Sequence, residues 1–315
     1  MKLIRTLGLA AALVAAGAAH AQQQFVTVLT GGTSGVYYPL GVALTKVYGD
    51  NIPGIRATVQ STKASAENLN LLQAGRGEVA FALGDAVSDA WTGNEEAGFR
   101  TKLDKLRGLA GIYENYIQIV ASADSGIRTL ADLRGKRVSV GAPRSGTELN
   151  ARAIFRGAGM SYSDLGKVEY LPFGESVELI KNRQLDATLQ SAGLGVASIR
   201  DLANSVNIVV IPVPAEVVAA IGDAAYQPAV IPANTYQGQS TDIATAAIRN
   251  ILVTHSGVPE NTVYAMTKSM FENLDQMVAA HAAARGIQAA GAADNLPLPL
   301  HPGAERYYRE AGLLK

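Results

Sequence analysis

Twice in this chain, once in each half, a short apolar strand runs into a Gly/Ser/Thr-rich loop that opens a helix. The first instance is Phe25 to Thr30 followed by Gly31-Gly-Thr-Ser-Gly-Val-Tyr-Tyr-Pro-Leu-Gly41. The second is Arg137 to Val140 followed by Gly141-Ala-Pro-Arg-Ser-Gly-Thr-Glu148. Such a loop leaves the first N–H groups of its helix without intrahelical acceptors, and the helix dipole favours negative charge there. Glycine lets a ligand approach the backbone closely, and hydroxyls add adjustable donors. Either loop alone could be a plain turn. Two in matching positions predict two lobes that hold one small polar or anionic ligand between them.

A chain of 315 residues exceeds what one core usually serves, which also points to two lobes. Basic and acidic residues balance at 27 each, so no net field draws the protein to nucleic acid or an anionic membrane. Lys2, Arg5, the apolar stretch Leu7 to Ala18 and Ala19-His20-Ala21 read as a secretory signal cleaved after Ala21. The stretch is too short to anchor the chain in a bilayer. Ile208 to Ile221, a later apolar run, is broken by two prolines and Glu216. The sequence has no cysteine, which removes disulfides, thiolate metal sites, cysteine nucleophiles and a lipoprotein anchor. An exported, unanchored monomer in the periplasm is the expectation.

Periodicity and caps give an α/β rhythm. Strands are predicted at Val26–Thr30, Ile55–Ser61 and Val79–Leu83, with helices after Pro39 and from Ser65, the latter N-capped by Ser65 and stopped at Gly75. Leu109 to Ala121 is long enough to cross between lobes. The rhythm restarts with strands Arg137–Val140, Val168–Phe173 and Ala187–Gln190 and helices from Ser145 and Ser176. Ile208–Val213 is a further strand, Tyr226–Tyr236 the expected return crossing, and Asn261 the cap of a later helix. Asp242 to Thr254 has no decisive periodicity. The expected organisation is signal 1–21, first lobe 22–117, second lobe 118–228, and 229–315 for the return and the C-terminal helices.

Neither Gly-rich loop carries the Gly-Lys-Ser/Thr of a P-loop or the G-x-G-x-x-G of a dinucleotide site, and no G-x-S-x-G elbow exists. His255, His281 and His301 lack ligand spacing, and Glu95-Glu96 read as a solvated turn. No catalytic constellation, cofactor site or metal site is expected. In open α/β sheets ligands gather at the carboxyl ends of strands, where both loops must lie. One lobe would therefore offer the N–H groups of Gly32, Thr33, Ser34, Gly35 and Val36 with Tyr37, plus Ser65, Asn68 and Asp85. The other would add Arg144, Ser145, Gly146, Thr147, Gln190 and Ser191. Arg144 is either a bidentate carboxylate ligand or an exposed loop arginine. Asp85 either accepts from the ligand or caps the helix carrying Trp91.

Four separated stretches carry a family resemblance: Gly31 to Pro39, Ser61 to Asn68, Asp132 to Val138 with Gly141 to Thr147, and Leu298-Pro-Leu-His-Pro-Gly-Ala304 with Arg306-Tyr-Tyr308. Together they make the chain resemble the TAXI family, the extracytoplasmic solute receptors of TRAP-type transporters. The resemblance implies a type II periplasmic-binding-protein fold, two α/β lobes with a hinge and a central ligand cleft. It also implies a small carboxylate ligand such as glutamate or 2-oxoglutarate, TRAP membrane subunits as partners, and no enzyme activity. Many members of that family carry an amide or serine near the position of Asp85, and many have glycine where this chain has Arg144; an arginine and an aspartate in one cleft would suit a ligand with a carboxylate and a hydrogen-bond donor. The alternatives are a receptor feeding a membrane sensor kinase and an enzyme on the same fold. The tail motif His301-Pro302-Gly303 reads as a rigid turn before an amphipathic helix.

Overall fold

Residues 23–314 are described by the structure, a computed structural model, so the signal segment expected at 1–21 lies outside the described residues. The chain starts with β1 (Gln24–Leu29), α1 (Tyr37–Asn51), β2 (Ile55–Gln60), α2 (Ser65–Gln73), β3 (Val79–Leu83) and α3 (Gly84–Thr92). β1 pairs in parallel with both β2 and β3. β2, at the sheet edge, alternates half-buried and exposed residues, whereas Val79 to Leu83 of β3 are buried throughout because helices cover both faces.

β4 (Leu106–Ser122) then leads into a second set: β5 (Arg137–Ser139), α4 (Gly146–Gly157), β6 (Lys167–Glu169), α5 (Phe173–Lys181), β7 (Ala187–Ala192), α6 (Ala197–Ser205), β8 (Ile208–Ile211), α7 (Ala215–Ile221) and β9 (Gln227–Ile231). β10 (Ile243–His255) precedes α8 (Glu260–Glu272), α9 (Leu274–Ala280) and α10 (Pro302–Glu310). All ten strands form one sheet with the path β2-β1-β3-β10-β4-β7-β5-β6. β4 and β10 are the crossing strands. Their antiparallel register runs from Leu106↔His255 to Tyr116↔Ala247. Beyond it β4 pairs with β7 and β8; on its other edge β10 pairs with β3 through Asn250 to Val253, and the first half of β10 pairs with β9.

The architecture is mixed α/β, with β4 and β10 linking the two βα sets in one sheet. The return runs along β10, the segment whose periodicity was ambiguous. Gln227–Ile231, within the expected crossing at Tyr226–Tyr236, instead pairs with Ile243 to Ala247 of β10. β10 hides its nature because both faces are covered, so alternation disappears from its sequence. Among the described residues, no helix is long and apolar enough to cross a membrane.

Two caps differ from the sequence expectation. Ala64, not Ser65, precedes α2, and Ser65 Oγ instead accepts the N–H of Leu83 at 3.1 Å. Pro259 precedes α8, while Asn261 Oδ1 accepts from Arg306 at 3.1 Å. Ser145 does cap α4, accepting the Glu148 N–H at 3.1 Å.

The C-terminal tail lies against β4. Gly108 N–H donates to Pro299 O at 2.9 Å, and Arg249 donates to Gly291 O at 2.8 Å and Asp294 O at 3.1 Å. Gly111 makes room for that arginine, since a Cβ there would lie 2.2 Å from the Arg249 guanidinium carbon. His301 begins α10, with Pro302 at the first helical position. Its Nδ1 accepts the Gly303 N–H at 3.2 Å, and its Nε2 lies 3.0 Å from Val258 O. This arrangement needs a neutral ring with its proton on Nε2.

Burial lowers the His301 pKa, so the unfolded chain takes up a proton more readily, and stability from this residue is lost as pH falls below the ordinary 6.5. His301→Ala is expected to lower unfolding free energy by about 1–3 kcal/mol near neutral pH. Denaturant unfolding at about pH 8 and pH 5 should show the gap to wild type narrowing at the lower value.

Candidate functional site

Where the lobes meet, at the carboxyl ends of the parallel strands, lies a cavity of about 200 Å³. The starts of four helices line it: Val36 and Tyr37 at α1, Ala64 and Ser65 at α2, Ser145 to Thr147 at α4, and Pro172 and Phe173 at α5. Each helix has nine or more residues. Each therefore brings first-turn N–H donors and about half a positive charge to the cleft. Among the described residues, the N–H groups of Tyr37, Ser65, Ala66, Gly146 and Thr147 have no protein acceptor. Two of these helix starts, at α2 and α5, did not figure in the twin-loop argument. Ala64 takes φ 71° and ψ −146°, a region nearly restricted to glycine, and this strain sits directly on the cavity wall.

Side-chain hydroxyls continue the same theme. Ser145 Oγ accepts from Glu148 N–H and Thr147 Oγ1 from Ser191 N–H at 3.4 Å, which leaves their own protons to point elsewhere. Ser191 is 5 % exposed, lines the cavity, and its hydroxyl has no partner among the described residues. A buried hydroxyl left unpaired is costly, so an atom in the cavity that pairs with it gains affinity.

Of the residues predicted from sequence, Gly32, Gly35, Val36, Tyr37, Ser65, Ser145, Gly146, Thr147 and Ser191 line the cavity. Thr33, Ser34, Asn68, Asp85, Arg144 and Gln190 are not among its lining residues. Thr33 is exposed and Ser34 half-buried. Asn68 is consumed by the fold: its Nδ2 donates to Thr30 O at 2.7 Å and Phe81 O at 2.9 Å, and its Oδ1 accepts from Thr62 at 2.6 Å. Gln190 Oε1 accepts from Ser198 at 2.6 Å, while its buried Nε2 has no described partner. Arg144 is exposed, with a left-handed φ of 64°, and contributes its carbonyl to Glu67 N–H at 3.2 Å. That bond ties the second-lobe loop to the start of α2. The same approach explains Gly146, where a Cβ would lie 2.5 Å from Ser65 Oγ and 2.6 Å from Leu83 Cδ1.

Tyr37 does two things. Its ring stacks on Phe81 at 5.2 Å, and its hydroxyl donates to Asn250 Oδ1. Asn250 of β10 in turn donates to Tyr113 O and Asn115 Oδ1, both at 2.9 Å, and Asn115 of β4 donates to Ser191 O at 3.0 Å. Lining residue Asn115 was missed from sequence, as were Lys63, Ala142 and Phe173. An amide within the largely apolar run Ile112 to Val120, which also holds Gln118, was the available signal for Asn115. Lys63 carried none, since an exposed lysine is ordinary.

Asp85, 4 % exposed, stands at the start of α3 and meets the second lobe. Its Oδ2 accepts from Asn150 Nδ2 and from Tyr226 O–H, each at 2.6 Å, and Asn150 also donates to the Tyr226 oxygen at 2.8 Å. Burial is the main cause that pushes the Asp85 pKa up to about 6, with Asp89 and Asp223 adding repulsion. Oδ1 of Asp85 and Oδ1 of Asn150 are both buried without described partners. A proton on Asp85 would relieve that shortage of donors.

A model of the NMT1-like family matches residues 28–312. A solved protein of Bordetella bronchiseptica RB50 superposes with TM-score 0.56 at 13% identity, over 91% of this chain and 98% of that one. The alkanesulfonate-binding protein SsuA of Xanthomonas axonopodis pv. citri, bound to MOPS, gives 0.49 at 14% identity over 91% and 84%. A histidine kinase sensor domain with similarity to periplasmic binding proteins gives 0.49 at 17% identity over 84% and 98%.

The raised Asp85 pKa fixes the sign of one pH effect. The folded state binds the proton more tightly than the unfolded chain, whose carboxyl titrates near 3.8, so ionisation destabilises the fold as pH rises toward about 6. The cost above that pH is on the order of 3 kcal/mol. Asp85→Asn keeps an acceptor for Asn150 and Tyr226 and is expected to be more stable than wild type at about pH 8. Thermal unfolding should show that advantage shrinking toward about pH 4.

Proposed function

The chain belongs to the NMT1-like family, and we propose that it is an extracytoplasmic solute receptor of the TAXI type. In this reading it captures a small organic anion of the carboxylate class and delivers it to the membrane subunits of a TRAP-type transporter. The observation that carries the reading is the convergence of four helix N-termini on one interlobe cavity, with the unpaired Ser191 hydroxyl buried in its wall. Binding is the whole function, because the groups gathered there are hydrogen-bond donors fit to hold an anion.

Ligand contacts would come from both lobes: Tyr37 and Ser65 from the first, Ser145, Gly146, Thr147 and Ser191 from the second. A ligand that bridges them favours the closed arrangement, since it gains its full set of contacts only there. β4 and β10, the two segments that join the lobes, form the natural hinge. Calorimetry on ligand-stripped protein with small carboxylates and, in parallel, neutral sugars tests the reading. Binding of a sugar and of no anion would refute it. For the bound anion, Ser191→Ala is expected to weaken affinity roughly tenfold to a hundredfold, the effect of one hydrogen bond to a charged group. Arg144→Gly, at an exposed site whose backbone suits glycine, should shift affinity by less than about threefold.

A further inference from the structure

We infer that the site selects an organic acid with a single anionic head, an apolar body and no amino group. The inference rests on the anion-receptor reading and narrows its ligand class. Among the described residues, no aspartate or glutamate lines the cavity. Three buried or half-buried carboxylates within two positions of lining residues are already committed. Asp85 is held by Asn150 and Tyr226, Glu148 accepts from Arg152 at 2.7 Å and Tyr162 at 3.1 Å, and Glu67 accepts the Lys63 N–H at 2.5 Å. An ammonium brought into this cavity would leave its water shell and find no counter-charge.

The polar groups that do face the ligand are biased the same way. Helix N-termini present N–H donors and positive dipole ends, and the hydroxyls of Ser145 and Thr147 already accept from backbone N–H groups. Those features match an acid head and repel an ammonium. Among the described residues, one cationic side chain, the exposed Lys63, reaches the lining. Much of the remaining wall is Val36, Leu83, Ala142, Pro172, Phe173 and Ala192. That surface offers nothing to a second carboxylate and favours an aliphatic or aromatic body.

The experiment uses matched acids that differ only by the amino group. Ligand-stripped protein is titrated calorimetrically with isovalerate and valine, isocaproate and leucine, hydrocinnamate and phenylalanine, and glutarate and glutamate. At least one monoacid is expected to bind, each bound monoacid about 100-fold or more tighter than its amino acid. An amino acid within about tenfold of its partner, a tighter glutarate or glutamate, or no binding by any monoacid overturns the inference. A winning glutamate leaves the anion receptor standing and removes only the ligand class. A neutral sugar that binds where every acid fails removes the receptor reading itself.

Discussion

The antiparallel pairing of β4 with β10 is the constraint from which the rest of the molecule hangs. Each strand spends one half in one lobe and the other half in its neighbour, so a single hydrogen-bonded ladder joins two βα units into one sheet. Such strands are largely buried, and the side chains along them are accordingly mostly apolar or, as buried amides, hydrogen-bonded. Asn115 and Asn250 show the second case, linking the two strands to each other and to Tyr37 and Ser191 beside the cavity. Arg249 does similar work on the outer side, holding the C-terminal tail against β4 through the opening left by Gly111. Hinge, cavity wall and tail are thus set by one pair of strands.

The chemistry of the cleft follows from helix ends more than from side chains. A parallel β-α unit puts each helix start at the carboxyl end of its strand, and two facing lobes bring four such starts together. Their donors and dipoles supply positive potential without a cluster of buried arginines or lysines, which would be expensive to desolvate. Small residues such as Gly146 let the lobes touch directly, and the Arg144 carbonyl meets the Glu67 N–H across the gap. Selectivity in a site of this kind rests on which ligand atoms leave donors unpaired.

Asp85 sets a different balance at the lobe boundary. Its carboxylate is buried against two neutral donors from the opposite lobe, with no cation beside it, so its ionised form is tolerated at a cost. Contact between the two βα sets supplies this environment. The same residue that joins the two halves therefore couples their contact to protonation.

The sequence alone determined the twin βα units, the strand positions around them, the helix start at Ser145 and the turn at His301, because these depend on neighbours a few residues apart. It also identified the glycine and hydroxyl loops, and nine of its candidate residues reached the cavity. Tertiary structure decided what sequence could not. The amide of Asn68 was drawn into the fold by Thr30 and Phe81, partners that only the β-strand arrangement brings near. Asp85 found Asn150 and Tyr226, 65 and 141 positions away, rather than a ligand. Arg144 turned outward because its backbone, in the left-handed region, was fixed by the bond to Glu67. Local pattern specifies which elements form and where their polar ends lie. Which polar groups remain available for a ligand depends on long-range hydrogen bonding, and that is settled only when the lobes pack.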